Sequence, residues 1–213
     1  MGTERRAKGR FITFEGGEGS GKSVQAKRLA ESLRAKGLAV TLTREPGGAP
    51  GAEDIRKLLL AGEPERWTPL AEALLFSAAR AEHMARLIRP RLEAGDFVVC
   101  DRFADSTLAY QGYAMWLGAA VVESLTALVL SGQRPDLTLI LDVDVELGLA
   151  RAKTRGGQTR YERFDRAFHT KLREAYRAIA KAEPERCVVI DGAPAENIVA
   201  DAVWSAVARR FSL

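Results

Sequence analysis

The sequence predicts an α/β fold, a five-stranded parallel sheet covered by helices on both faces. Three observations predict it. Short runs rich in β-branched and aromatic residues alternate along the chain with stretches of helical spacing, the pattern of parallel strands joined by crossover helices. The first run leads directly into Gly16-Gly17-Glu18-Gly19-Ser20-Gly21-Lys22-Ser23, which matches the phosphate-loop pattern G-x-x-x-x-G-K-[ST] at every fixed position. That strand, loop and following apolar helix point to the P-loop NTPase fold. The chain of 213 residues, 46% apolar and 28% charged, is long enough for one well-filled core and has an ordinary globular composition.

Residues 1–9 read as a flexible basic tail ahead of a single domain over 10–213. Phe11 to Glu15 forms the first strand, and the helix after the loop runs to about Lys36, where Gly37 is a natural C-terminal cap. Leu38 to Thr43 is the second strand. The turn-rich Arg44-Glu45-Pro46-Gly47-Gly48 precedes a short helix from about Gly51 to Ala61. Thr68 as cap and Pro69 at the first helical position open a long helix, whose apolar positions Leu70, Leu74, Ala78, Ala81, Met84 and Ile88 keep helical spacing. Pro90 lacks a backbone donor and should kink or end it. Phe97 to Asp101 is the third strand. Short helices follow at about Ser106 to Gln111 and Leu117 to Ser131, then a fourth strand from Leu137 to Val143. A helix through Leu147 and Ala150 leads to a mobile loop, a further helix spans about Asp165 to Ala182, Cys187 to Ile190 is the fifth strand, and Ala195 to Arg210 is the last helix.

Bulk properties narrow the class. No apolar run approaches the roughly 18 residues of a membrane span, and the basic start has no hydrophobic segment behind it, so neither anchor nor secretory leader is expected. Cys100 and Cys187 fall inside strands and read as buried thiols of a reducing cytoplasm. The net charge of +4 could suggest nucleic acid, but arginines around a polyphosphate site explain it as well, and no stripe of aromatics interleaves with the basic residues. The guanine-selecting N-K-x-D pattern is absent, Asn197 being the only asparagine, which argues against a GTPase. His83 and His169 have no partners at metal-ligand spacing.

The loop's chemistry follows from its residue types. Glycines let successive N–H groups turn inward on phosphate oxygens, and the helix dipole adds to them. Lys22 supplies a mobile cation for the β- and γ-phosphates of ATP, and the Ser23 hydroxyl can ligate Mg²⁺. Asp101 ends the third strand beside the loop and would hold the Mg²⁺ shell; Asp142 ends the fourth and competes for that role. Arg102 follows Asp101 directly, which suits a metal and a second phosphate held together. Phe76 and Arg80, four apart, share a helix face offset from the Leu70/Leu74/Ala78 stripe. Glu18 is an acid inside a phosphate cradle, so it should face something other than the phosphates.

Three segments in order carry a family resemblance. Phe11 to Ser23 fits F-E-G-x-E-G-x-G-K-[ST], Thr43 to Gly48 reads T-R-E-P-G-G, and Asp101 to Gly112 reads DRFADSTLAYQG. From about Arg10 onward the chain closely resembles the bacterial thymidylate kinases. The resemblance implies that Arg44 and Arg102 grip the phosphate of dTMP, that Phe76 stacks on thymine and that Arg80 hydrogen-bonds the base edge. It further implies Thr107 near the base, Tyr110 crowding the 2′ position, Gln111 in the same pocket and Glu18 at the sugar 3′-hydroxyl. A homodimer is implied by the resemblance alone.

The basic stretch from Arg151 to Arg163, with Gly156-Gly157 inside it, reads as a hinged lid closing over ATP. Gly19, where part of the family carries a basic residue, makes this chain resemble the lid-arginine type. Arg155 and Arg160 are then the candidates for the transferring phosphoryl group, with Arg151 near adenine. The expected reaction is Mg²⁺- and ATP-dependent phosphorylation of dTMP, with catalysis by alignment and cationic screening rather than by a strong base. Neighbouring readings are a kinase for another monophosphate, a deoxynucleoside kinase, and a P-loop ATPase switch that binds nucleic acid or a protein partner. The acceptor-pocket residues speak against the last.

Overall fold

In the computed structural model, which describes residues 8–155 and 160–213 apart from the Arg155 side chain, five strands form one sheet. They are β1 (Arg10–Glu15), β2 (Val40–Arg44), β3 (Phe97–Asp101), β4 (Leu137–Asp142) and β5 (Cys187–Asp191). The spatial order is β2-β3-β1-β4-β5 and every neighbouring pair is parallel. β1 is therefore central, between β3 and β4, and its carboxyl end opens into the crevice where ligands bind in open parallel sheets. The register pairs Phe14 and Arg44 with Asp101, which brings the ends of three strands level.

Alternation along β1 separates two cores. Ile12 and Phe14 face α1 (Lys22–Ala35) and α9 (Glu196–Phe211), packing on Leu29, Leu33, Val199, Val203 and Val207. Phe11 faces the other side, where it meets Met84, Ile88, Leu92 and Phe103. On that same face α8 (Arg166–Ala182) contributes Leu172, Tyr176 and Ile179. Asp165 caps α8, its side chain accepting the Phe168 N–H at 2.8 Å. α2 (Pro50–Leu60) lies between β2 and the long helix. After β3 come α5 (Ala104–Thr107), a π-helical turn over Leu108–Ala114, and α6 (Ala119–Leu130); after β4 comes α7 (Val145–Arg155). No helix among the described residues is long and apolar enough to cross a membrane.

Three expectations are corrected. Gly9 is not part of a tail: it is buried, its N–H bonds Leu92 O at 2.9 Å, and a Cβ there would meet the Asp96 and Leu92 carbonyls. Pro90 does not end the long helix. α3 (Pro69–His83) continues through a π-helical turn at Met84–Ile88 into α4 (Arg89–Glu93), so the missing donor falls at a change of helical pitch and helical structure runs on past it. The third concerns the facing of α3. Met84 and Ile88 are buried, but Leu70, Leu74, Ala78 and Ala81 point to solvent, while Glu72, Ser77, Arg80 and His83 are buried. The helix turns its polar face inward because distant segments supply partners there, Glu45 for Arg80 and His83, and Arg160 with Gln111 for Glu72, which a periodicity of apolar residues cannot reveal.

Candidate active site

The phosphate loop leaves β1 with Gly16 at φ 136° and enters α1 through Gly21 at φ 92°, both conformations that only glycine adopts without strain. Lys22 folds back over the loop, donating from Nζ to Gly17 O at 2.6 Å and Ser20 Oγ at 3.1 Å. Burial, with the Arg102 guanidinium nearby, pushes its ammonium down to about 8. Gly19 has φ 66°, and a Cβ there would run into the Gly148 carbonyl of α7. α7 thus lies directly on the loop tip, which leaves no room for a basic side chain at position 19.

Ser23 Oγ donates to Asp101 Oδ2, and Asp101 Oδ1 is buried with no hydrogen-bond partner among the described residues. A hydroxyl beside a carboxylate with an unspent oxygen is the hard oxygen donor set that suits Mg²⁺. Asp142 is committed elsewhere: Arg173 donates to its two oxygens at 2.7 and 3.1 Å and Arg177 at 2.6 Å.

Beside the loop is a cavity of about 320 Å³, in the size range of small-molecule sites. Glu18, Arg44, Phe76, Arg80, Arg102, Thr107, Tyr110 and Gln111, the residues expected around an acceptor, all line it. Arg102 sits at φ 66°, an uncommon and strained conformation for a non-glycine residue. Its turn is pinned from below by Glu15, whose carboxylate accepts Phe103 N–H at 2.8 Å and Ser106 Oγ–H at 2.6 Å. Burial and the neighbouring Asp105 raise the Glu15 carboxyl above its usual range. The Arg102 guanidinium then reaches Gly16 O at 3.1 Å, Tyr176 OH at 3.3 Å and Glu18 Oε1 at 2.9 Å. Tyr110 OH also donates to Glu18, at 2.7 Å. Burial alone would push the Glu18 carboxyl up, but Arg102, Lys22 and Tyr110 outweigh it and hold it at about 2.

Arg44, at the end of β2, is half exposed and paired with Glu53 at 3.0 Å. Arg80 is buried; Nε donates to Glu45 at 2.8 Å, and Nη2 to Phe103 O and Thr107 Oγ1, both at 3.0 Å. His83 backs Glu45 at 3.1 Å and takes no metal-like company, since the described residues hold no cluster of three or more His, Cys, Asp or Glu able to bind a metal. Phe76 lies tilted against Tyr161, ring centres 6.4 Å apart.

The lid residues divide. Arg151 donates to Gly192 O and Ala193 O, both at 2.7 Å, and so marks the loop after β5. The Arg155 side chain and residues 156–159 lie outside the described residues. Arg160 is a correction. It is buried, donating to Leu59 O at 2.8 Å, to Pro64 O and to Tyr161 OH at 3.0 Å, and it is ion-paired with Glu72 of α3. A guanidinium with that many partners locks the end of the lid to α2 and α3 and is not presented to a phosphate. Sequence reasoning also missed Arg56, which lines the cavity, donates to Pro46 O at 2.6 Å, and has its guanidinium pushed down by burial and Arg44. Nothing in the local pattern of α2 separates Arg56 from a surface arginine. Glu45 and Glu72 were equally hidden, although Glu45 lies within the T-R-E-P-G-G stretch.

A phosphate loop with its lysine, a Mg²⁺-type oxygen pair and an adjoining cavity lined with arginines and a phenylalanine define a P-loop kinase that takes a small phosphorylated acceptor. The chain belongs to the thymidylate kinase family, whose model matches residues 14–203. It is 52% identical to the thymidylate kinase of Caulobacter vibrioides over 205 residues, covering 96% of this chain and 99% of that one. It is 53% identical to that of Nitrobacter hamburgensis over 206 residues, covering 95% and 90% of the two chains. Among solved structures, thymidylate kinase from Ehrlichia chaffeensis superposes with a TM-score of 0.78 at 35% identity, covering 94% of this chain and 100% of that one.

Proposed function

We propose that this chain transfers the γ-phosphoryl group of ATP to dTMP, giving dTDP and ADP in the cytoplasm and so supplying thymidine nucleotides for DNA synthesis. The observation that carries the reading is the polarity of the cavity. One end holds Arg44 and Arg102 next to the phosphate loop, suited to the acceptor phosphate, and the other holds Phe76, Arg80, Thr107 and Gln111, suited to a pyrimidine. Gln111 offers a buried, unpartnered carbonyl oxygen, complementary to the imide N–H of thymine. Tyr110 and Glu18, bonded to each other at 2.7 Å beside Arg102, suit the deoxyribose.

The acceptor phosphate is already an oxyanion, so the residues need only align it and screen the charge that accumulates. Lys22 bears on the donor phosphates and Arg102 on the acceptor. Tyr110 limits room beside the sugar. Ser23 and Asp101 would hold Mg²⁺, which when bound neutralises phosphate charge. Arg151 of α7, bonded to the loop after β5, suits the adenine end of ATP, and Arg155 is the lid candidate left for the transferring group. We read the protein as a homodimer, and the exposed stripe Leu70, Leu74, Ala78 and Ala81 of α3 supports a second copy as its cover.

The test is ADP formation from ATP and Mg²⁺ with dTMP, dUMP, dCMP or dAMP as acceptor. Rapid turnover with dTMP and far less with dCMP and dAMP is expected. Absence of acceptor-dependent turnover from folded, ATP-binding protein would overturn the reading, and stimulation by DNA alone would favour an ATPase switch.

A further inference from the structure

Gln111 has an amide, and an amide can present either end. Its nitrogen donates to Glu72 Oε1 at 2.7 Å, while its carbonyl oxygen is buried without a partner among the described residues; the residue itself lines the acceptor cavity. Glu72 does not line that cavity; it is 1% exposed on α3, and its other oxygen is ion-paired with the buried Arg160. A carboxylate held by a guanidinium accepts hydrogen bonds and donates none. Glu72 therefore leaves Gln111 one orientation, with NH₂ toward α3 and C=O as the free end. The carbonyl end attracts a ring N–H and repels a ring nitrogen lone pair.

We infer that Glu72 is a positioning residue for base selection: by fixing the Gln111 amide it makes the cavity accept a pyrimidine with an N3–H, such as thymine, and reject cytosine, whose N3 is an acceptor. This rests on the dTMP reading above. Arg160, at the end of the lid segment, completes the device by keeping Glu72 aimed. The chain Arg160–Glu72–Gln111 links two sequence-distant segments to one hydrogen bond at the base, and none of its inner contacts touches the nucleotide.

The substitution Glu72→Gln has a definite consequence. Arg160 only donates, so the introduced amide must turn its carbonyl to Arg160 and its NH₂ to Gln111. Gln111 must then reverse, presenting NH₂ to the base. The experiment measures kcat/KM with dTMP and with dCMP for wild type, E72Q and the double variant E72L/R160M. The double variant replaces both buried charges by apolar groups and so strands neither charge, giving up the hydrogen bonds that Arg160 donates to Leu59 O and Pro64 O. The dTMP-to-dCMP ratio is expected to fall at least tenfold in E72Q, through loss with dTMP and gain with dCMP. In the double variant the Gln111 amide is free, and a smaller fall is expected. Equal loss for both acceptors in a folded variant would overturn the inference and leave Glu72 a structural ion-pair partner, as would failure of both variants to fold. Failure of the dTMP reading itself is distinguishable, because it would show in the wild type.

Discussion

Replacing Arg102 by Met tests the coupling between acceptor binding and the stability of the site. In the free protein the guanidinium holds Glu18 at 2.9 Å and, with Lys22 and Tyr110, brings its carboxyl from 4.5 to about 2 against burial. By linkage that shift corresponds to about 3 kcal/mol of stability, present above pH 4.5 and lost as the pH falls through 2. Without Arg102 only Lys22 and Tyr110 still oppose the burial cost at Glu18, so R102M should lose about 3 kcal/mol, the low end of the usual cost of stranding one partner of a buried pair. For catalysis, two charged hydrogen bonds to the acceptor phosphate are worth about 1.5–3 kcal/mol each. Some of these donors already have protein partners, so the lower end applies, a fall in kcat/KM for dTMP of at least about 10²-fold. The assay is coupled ADP formation against dTMP concentration, with urea unfolding alongside. The double variant R102M/E18Q separates the two effects. Removing both partners should recover most of the stability, because no charge is left stranded, yet the dTMP KM should stay high. Recovery of KM together with stability would refute Arg102 as a phosphate clamp and reduce it to a fold element.

Three further outcomes follow from the same geometry. Lys22 titrates near 8 in the free protein and ATP phosphates favour its charged form, so ATP affinity should be full below pH 8 and weaken about tenfold by pH 9. Calorimetry in two buffers at pH 8.5 should show proton uptake on binding, and a flat profile would contradict the assignment. Asp101→Asn should weaken Mg²⁺ activation by about 10–100-fold while leaving ATP binding in chelator unchanged, read by fluorescence titration; loss of metal-free binding would mean a structural role. Leu74→Glu puts a charge in the exposed stripe of α3 and should give a monomer by light scattering with the fold intact, whereas an unchanged mass would remove the stripe from any interface.

What the sequence determined by itself was local. The P-loop, the strand ending in Asp101-Arg102 and the α3 cap are spelled by adjacent residues, because glycine conformations, capping oxygens and alternation act over a few positions. The order of strands and helices was legible for the same reason. Gly19 was visible as a departure, but only the approach of Gly148 explains it, since that carbonyl belongs to a helix more than a hundred residues on. The tertiary structure alone decided which side of α3 is wet. Apolar spacing marks a stripe without saying what covers it, and here Glu45, Arg160 and Gln111 from distant segments bury the polar side. It also decided between two arginines of one basic segment. Arg151 caps the loop after β5, and Arg160 is buried against Glu72. Charge is a property of the residue, but whether it meets phosphate or carboxylate depends on which distant segment the fold brings within about 3 Å.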